Sequence, residues 1–165
     1  MARIRTDQPV LPSLLDRLID DEPQQSLSSV KGFSILLKEI KANIRRDLEN
    51  LLNTRIYRQN DIDELNELEQ SLVNYGLPDF SRVQYSSEEH RERFRALVQQ
   101  AIKKFEPRLQ RVRVDISPAG EEYERTLYLK ISAVLMVEPN PVPLIFDSRV
   151  HTLDRAVKLR ELQHG

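Results

Sequence analysis

The sequence places an acid and a base two residues apart, where a predicted helix gives way to a predicted strand. Glu106 precedes Pro107, and Arg108 follows it. Proline disfavours the helical conformation for the residue before it, so we expect the helix to end at Phe105 or Glu106. A carboxylate there faces the unpaired carbonyl groups of the last helical turn, which is unfavourable. Glu106 therefore needs a positive partner, or a role other than stabilising its helix.

Two interpretations of this pair follow from the spacing. If the chain is extended from Glu106 onward, Glu106 and Arg108 share a face, because strand side chains repeat every second residue. They are then either an internal ion pair between the helix end and the first strand, or a charged docking element. In the second case they extend the apolar strand face of Val112, Val114 and Ile116 toward a partner, and fix its orientation. The residues alone favour neither interpretation.

The elements that position this pair are predicted from hydrophobic periodicity. Apolar residues spaced by three or four describe a helix of about six turns, from Val30 to an end near Asn53, where asparagine tolerates the left-handed cap position. Ser86 and Glu89 form a capping box that opens a second long helix. After Pro107 the period changes to two in three segments, within residues 112–116, 127–137 and 144–150. A short helix at residues 11–19 is also predicted.

Helices that precede strands favour an α+β fold of N-terminal helices packed on a three-stranded antiparallel β-meander. The length of 165 residues fits one domain. We expect a polar N-terminal arm at residues 1–9, one domain at residues 10–153, and a solvated helix or tail at residues 154–165. The turn formers and large apolar residues of residues 74–80 predict a loop that packs onto the domain.

Composition excludes several classes of site. The chain has no Cys, so thiolate zinc sites, disulfides and cysteine nucleophiles are absent. Its 25 Lys and Arg balance 26 Asp and Glu, so the whole chain has no strong attraction for nucleic acid or anionic membranes. The N-terminus lacks the apolar stretch of a signal peptide, and no apolar run is long enough to span a bilayer. We expect a cytoplasmic protein with no membrane insertion.

Motifs for enzymatic chemistry are missing. The three His have no metal-ligand spacing, and the four Gly form no phosphate-binding loop. No Gly-x-Ser-x-Gly motif supports acyl transfer. Phe94 and Phe105, beside the basic residues of segment 91–113, fall on an apolar helix stripe and not on a base-stacking surface. We therefore expect no metal, no cofactor and no nucleic-acid partner.

Five motifs in order resemble the TssE family of type VI secretion baseplate subunits, relatives of the small wedge protein of contractile phage tails. The resemblance covers roughly Val10 to Val150. It rests on Arg17-Leu18, on Leu51-Leu52-Asn53-Thr54-Arg55, on Ser71-Leu72-Val73-Asn74-Tyr75-Gly76-Leu77-Pro78-Asp79-Phe80, on Glu106-Pro107-Arg108-Leu109 and on Phe146-Asp147-Ser148.

The resemblance implies a structural role and not hydrolysis, with no catalytic residue and no small-molecule substrate, although the family is also called lysozyme-like. It implies a cytoplasmic baseplate, assembled at the inner face of the inner membrane, that binds wedge subunits TssF, TssG and TssK and seeds a sheath of TssB and TssC. Glu106, Pro107 and Arg108 match the family's interaction motif. The strand with Asp147 and Ser148 is one expected site of pairing with sheath strands.

Two other functions stay open at this point. A muramidase that cleaves peptidoglycan would need two carboxylates that face each other across a cleft, and sequence alone does not pair distant acids. A regulatory anti-adaptor that binds a response regulator would use a related fold. The first predicts turnover of peptidoglycan, and the second predicts a one-to-one partner with no effect on secretion.

Overall fold

The computed structural model of the chain describes residue 18 and residues 33–56, 71–78, 87–118, 126–137, 140–151 and 157–162. In these ranges the helices precede the strands, which confirms the α+β class. The helices are α1 (Phe33–Asn53), a 3₁₀ helix (Leu72–Asn74) and α2 (Glu88–Phe105). The strands are β1 (Leu109–Pro118), β2 (Thr126–Leu135), β3 (Val142–His151) and β4 (Arg160–Glu161).

The sheet has four strands in the order β1-β2-β3-β4, not the predicted three. The first three form the expected antiparallel meander. β4 is antiparallel to β3 and pairs with it only at Phe146 with Glu161 and at Asp147 with Arg160. It lies within residues 154–165, where we predicted a solvated helix or tail. A strand of two residues is too short to produce the alternation by which strands are recognised in a sequence.

The core lies between the helices and one face of the sheet. α1 and α2 bury their apolar stripes, which include Ile44 and Leu48 on α1 and Val98 and Ile102 on α2. The sheet contributes the buried residues Leu109, Val112, Val114, Leu127, Leu129, Ile131, Ala133, Leu135, Leu144 and Phe146. Full burial of one such large side chain is worth about 1.5–3 kcal/mol. The alternating apolar residues of the strands therefore form the inner face of the sheet, as the period of two predicts.

α1 ends at Asn53 as predicted, but not through a left-handed cap. Arg111 is the non-glycine residue with positive φ among the described residues, so Asn53 does not adopt that conformation. Its side-chain amide instead donates to the carbonyl of Val157 (2.9 Å), and its side-chain oxygen accepts from the Val157 N–H (2.7 Å). Glu49 accepts from the N–H of Leu159 at 2.8 Å. α1 thus holds the segment that leads into β4.

α2 begins one residue later than the predicted capping box requires. Its N-cap is Ser87, whose side chain makes no capping hydrogen bond. Ser86 lies outside the described residues. Glu88 and Glu89 in the first turn still complement the positive end of the helix dipole.

The predicted loop packs onto the end of α1 over the residues that the structure describes. Leu77 is buried, and its N–H donates to the carbonyl of Thr54 at 2.9 Å. Gly76 has φ of 113°, and a Cβ there would lie 2.5 Å from the carbonyl oxygen of Thr54. Glycine is therefore required for this close approach. Asp79 and Phe80 lie outside the described residues, as does the predicted helix at residues 11–19 apart from Leu18.

Neither described helix has the unbroken apolar stretch that a bilayer crossing needs.

Candidate functional site

The site begins where α2 ends. Phe105 is the last helical residue, as predicted, and Glu106 is the C-cap with φ of −125° and ψ of 74°. The Glu106 N–H still donates to the carbonyl of Ile102 at 2.9 Å, so the last turn of the helix is intact. Pro107 is exposed to solvent. The proline ends the helix and turns the chain toward β1.

Glu106 and Arg108 meet across a turn, and not through the extended chain that the spacing suggested. The N–H of Leu109 donates to the carbonyl of Glu106 at 3.1 Å, which closes a four-residue turn with Pro107 at its second position. Proline is favoured at that position because its fixed φ matches the turn. β1 starts only at Leu109.

A bulge in β1 also overturns the expectation that the pair extends the even-numbered strand face. The register with β2 shifts between Gln110 and Arg113, and Arg111 has φ of 51°. As a result Leu109 and Val112, three residues apart, are both buried. A bulge inserts one unpaired residue and reverses the alternation of the strand. The apolar face of β1 therefore leads back to Leu109 and not to Arg108.

The internal ion pair of the first interpretation is present. Nε of Arg108 donates to Oε1 of Glu106 at 2.6 Å, and Nη2 donates to Oε2 at 2.6 Å. Glu106 is only 4% exposed. Two parallel hydrogen bonds between a guanidinium and a carboxylate are both strong and geometrically specific. The pair supplies the positive partner that Glu106 needs at the helix end.

Asp47 of α1 is a third member of this site that sequence reasoning missed. Its Oδ2 accepts from Nη2 of Arg108 at 2.7 Å, and its Oδ1 accepts from Nη2 of Arg46 at 3.0 Å. We call Arg46, Asp47, Glu106 and Arg108 the charge cluster. Asp47 lies between Ile44 and Leu48 of the apolar stripe of α1, a position that indicates that it lies at the margin of the core. Its partner is 61 residues away, and no spacing rule predicts that.

Aromatic rings flank the charge cluster. Tyr75 and Phe105 pack edge to face with ring centroids 5.1 Å apart. Burial, and secondarily the negative charges of Asp47 and Glu106, raise the pKa of the Tyr75 hydroxyl above its usual value of 10.0. The hydrogen bond to Glu106 raises the pKa of the Arg108 guanidinium, with burial opposing this and Asp47 adding to it. Arg108 is therefore a permanent cation at the centre of the cluster.

The arrangement is suited to structure and recognition. Both carboxylates near Arg108 accept hydrogen bonds from it, so their oxygens are committed to holding this side chain. In the described ranges no group of three or more His, Cys, Asp or Glu could hold a metal ion. The cluster joins α1, the end of α2 and the start of β1.

The structure separates Asp147 and Ser148 from this cluster and from each other. Ser148 is 4% exposed on the inner face of β3, where it pairs in register with Leu129. Asp147 is half-buried on the outer face, beside Lys130 of β2 and Arg160 of β4. Oδ1 of Asp147 and Oγ of Ser148 are buried without a hydrogen-bond partner in the described part of the chain. Their predicted role in partner binding stays a prediction.

Comparison with known proteins finds a matching family and a similar solved structure. A solved chain from "The baseplate complex from the type VI secretion system" is similar over 77% of this chain and 97% of its own length, with 16% identity and a TM-score of 0.48. No curated protein matches the sequence. The family model described as baseplate wedge protein gp25 matches residues 38–140, more than half of the chain. That range includes Asp47, Glu106 and Arg108, and the chain belongs to the gp25 family of baseplate wedge proteins.

Proposed function

We propose that this chain is the small structural wedge subunit of a type VI secretion baseplate, with no catalytic activity. The observation that carries the proposal is the family match over residues 38–140, which contains α2, β1, β2 and most of α1. The five ordered motifs that resemble the TssE family support the type VI assignment. The charge cluster supports a role in docking and not in catalysis, because its carboxylates are committed to Arg108.

The proposed docking element is the turn at residues 106–109. Its backbone is held by the Leu109-to-Glu106 hydrogen bond, and its side chains are held by the charge cluster. Pro107 is exposed, whereas the side chains of Arg108 and Asp47 keep 29% and 30% exposure. A rigid turn loses little conformational freedom when a partner binds, so ordering it takes little from the binding free energy. The internal ion pair then holds the proposed docking element in its conformation.

The proposed partners are the other wedge subunits, TssF, TssG and TssK, and the sheath subunits TssB and TssC. Docking through the turn suits the wedge subunits. Strand pairing suits the sheath subunits, and β1 is the better candidate, because among the described strands it pairs with β2 alone. Its regular part after the bulge, residues 113–117, offers an edge for an added strand. The edge of β3 at Asp147, in contrast, is covered by β4.

The proposed location is the cytoplasm, in a baseplate at the inner face of the inner membrane. The near balance of charge, with a formal net charge of −1, fits docking between protein neighbours better than binding to a polyanion.

Affinity capture from the native cell tests this function. A tagged copy of the full chain, expressed from its own locus, should capture the wedge subunits, and their identification by mass spectrometry would support the proposal. Deletion of the gene should abolish sheaths labelled with a fluorescent sheath subunit. Capture of a response regulator with normal sheaths in the deletion strain would overturn it, and so would turnover of peptidoglycan by the purified chain.

A further inference from the structure

The edge of β1 that faces away from β2 carries two arginines that form no ion pair in the described part of the chain. Among the described strands β1 pairs with β2 alone, so its other side is an edge of the sheet. Arg111 and Arg113 are exposed on this strand. Three arginines that precede them each bond a glutamate close in sequence, whereas no described ion pair includes Arg111 or Arg113. Both charges are therefore available to another molecule.

Asp115, on the same strand, does not neutralise these arginines by direct contact. In the described ranges no ion pair within 4.0 Å joins it to either of them. The hydrogen bond to Glu92 is the main cause of the raised pKa of the Arg95 guanidinium on α2, and the charge of Asp115 adds to it. Lys103, exposed in the last turn of α2, lies at the end of the helix that leads into β1. With two arginines and one aspartate, β1 is therefore a positive edge.

The bulge puts one of the two arginines in a strained backbone conformation. Arg111 has φ of 51°, which is unfavourable for residues with a Cβ and is most often occupied by glycine. Val112 is buried whereas Arg111 is exposed, so Arg111 is the inserted residue of the bulge. In the described ranges, no side-chain hydrogen bond or ion pair of Arg111 offsets this strain. Because strained residues and bulges are concentrated at functional sites, this conformation favours a role for Arg111 in contact with a partner.

The inner side of the same edge is apolar and incompletely covered. Val114 is buried, whereas Ile116 packs against the core but is only half-buried. The regular part of the edge, residues 113–117, lies between the bulge and Pro118, which ends β1 and has no N–H to donate. Successive side chains of a strand point to opposite faces, so an added strand would place every second side chain beside Ile116 and the others beside Arg113. Apolar residues suit the first set, and acidic residues suit the second.

We propose that β1 selects an extended acidic segment of a sheath subunit, in which acidic side chains alternate with apolar ones. The acidic side chains contact Arg111 and Arg113, and an apolar side chain covers Ile116. Opposite charges on neighbouring strands stabilise the pairing and like charges oppose it, so the two arginines discriminate between acidic and basic segments. The main chain of residues 113–117 provides the hydrogen bonds of the pairing. This assignment rests on the proposed strand pairing of the chain with TssB and TssC.

Capture of sheath subunits by tagged variants of the full chain in the native cell tests this selection. The wild-type chain should retain wedge and sheath subunits, quantified by mass spectrometry after mild crosslinking. Arg111→Gly/Arg113→Gln should retain the wedge subunits at the wild-type level but about fivefold less of the sheath subunits, because two charge contacts are lost. Arg111→Lys/Arg113→Lys keeps both charges and should retain both sets. Lys38→Gln/Lys158→Gln, which removes two exposed cations elsewhere, is the control for net charge and should also retain both.

Thermal unfolding of the same purified chains separates recognition from folding. Glycine adopts the left-handed conformation without strain, so Arg111→Gly/Arg113→Gln should match or exceed the thermal midpoint of the wild type. A lower midpoint would overturn the inference, since the arginines would then serve the fold. Undiminished sheath capture by this variant would also overturn it, and so would an equal loss in the lysine variant. A wild-type chain that captures wedge subunits without sheath subunits would overturn this inference alone, whereas capture of neither would overturn the proposed function as well.

Discussion

Glu106 is the residue on which the local structure depends. It is 4% exposed, sits at the carbonyl end of α2 and carries a charge, three features that each oppose stability without a partner. Arg108 compensates them through two hydrogen bonds of 2.6 Å. The pair could be anticipated from the sequence, because a carboxylate before a proline at a helix end requires a cation. The contact of Asp47 with Arg108 could not be anticipated, because it depends on how α1 crosses the end of α2.

Arg108→Glu should unfold or strongly destabilise the chain. It would place a third carboxylate against buried Glu106 and half-buried Asp47, and loss of one partner of a buried ion pair costs about 3–5 kcal/mol. The double variant Glu106→Gln/Arg108→Gln should lose much less, because neither side chain is left as an unpaired buried charge. Urea unfolding followed by circular dichroism compares the two. Equal losses in both variants would contradict the internal ion pair as the source of stability.

We predict that ionisation of Tyr75 lowers the stability of the folded chain at alkaline pH. Its pKa is raised in the folded chain above the usual value of 10.0, chiefly by burial. The folded state therefore keeps the proton after the unfolded state has released it, so its contribution is present below pH 10.0 and is lost as pH rises toward the folded pKa. Between pH 9 and pH 11, Tyr75→Phe should lose less thermal stability than the wild type. Parallel losses in the two proteins would refute this assignment.

At the scale of elements, the two long helices and three of the strands follow from periodicity, since their stripes and alternations extend over many residues. The bulge at Arg111, the turn at residues 106–109 and strand β4 do not. Each of them is set by a long-range contact or by one or two residues, and a period cannot be read from so few. β4 in particular depends on α1, through Asn53 and Glu49 and through the ion pair of Lys41 with Glu161 at 2.7 Å.

Asn53→Ala should therefore loosen β4 while α1 stays helical. The substitution leaves the buried backbone of Val157 without two hydrogen-bond partners, at a cost of about 1–3 kcal/mol. The amide hydrogens of residues 157–162 should exchange faster, while those of β1 and β2 change little. Asn50→Ala, at an exposed position of the same helix, is the matched control. Unchanged exchange in residues 157–162 would show that α1 does not hold this segment.

At the scale of the whole molecule, the chain presents charged features on two sides of one sheet. The helix side carries the charge cluster and the exposed turn, and the outer side carries four registered residues of alternating charge, Asp115, Lys130, Asp147 and Arg160. Both are built from paired or alternating signs, which explains how a chain of formal net charge −1 can still contain strongly oriented local fields. Neither feature requires the whole chain to be acidic or basic. Composition alone therefore does not locate the docking surfaces.

The central claim is that the turn at residues 106–109 joins the chain to its wedge, and co-purification of the folded double variant tests it most directly. Recombinant wild-type chain and Glu106→Gln/Arg108→Gln are each expressed with TssF, TssG and TssK. Glu92→Gln/Arg95→Gln, which neutralises an exposed ion pair on α2, is the matched control. The wild type and the control should co-purify with the wedge subunits, whereas the double variant, folded by circular dichroism, should not. Recovery of the folded double variant with the wedge subunits at the wild-type level would contradict the claim.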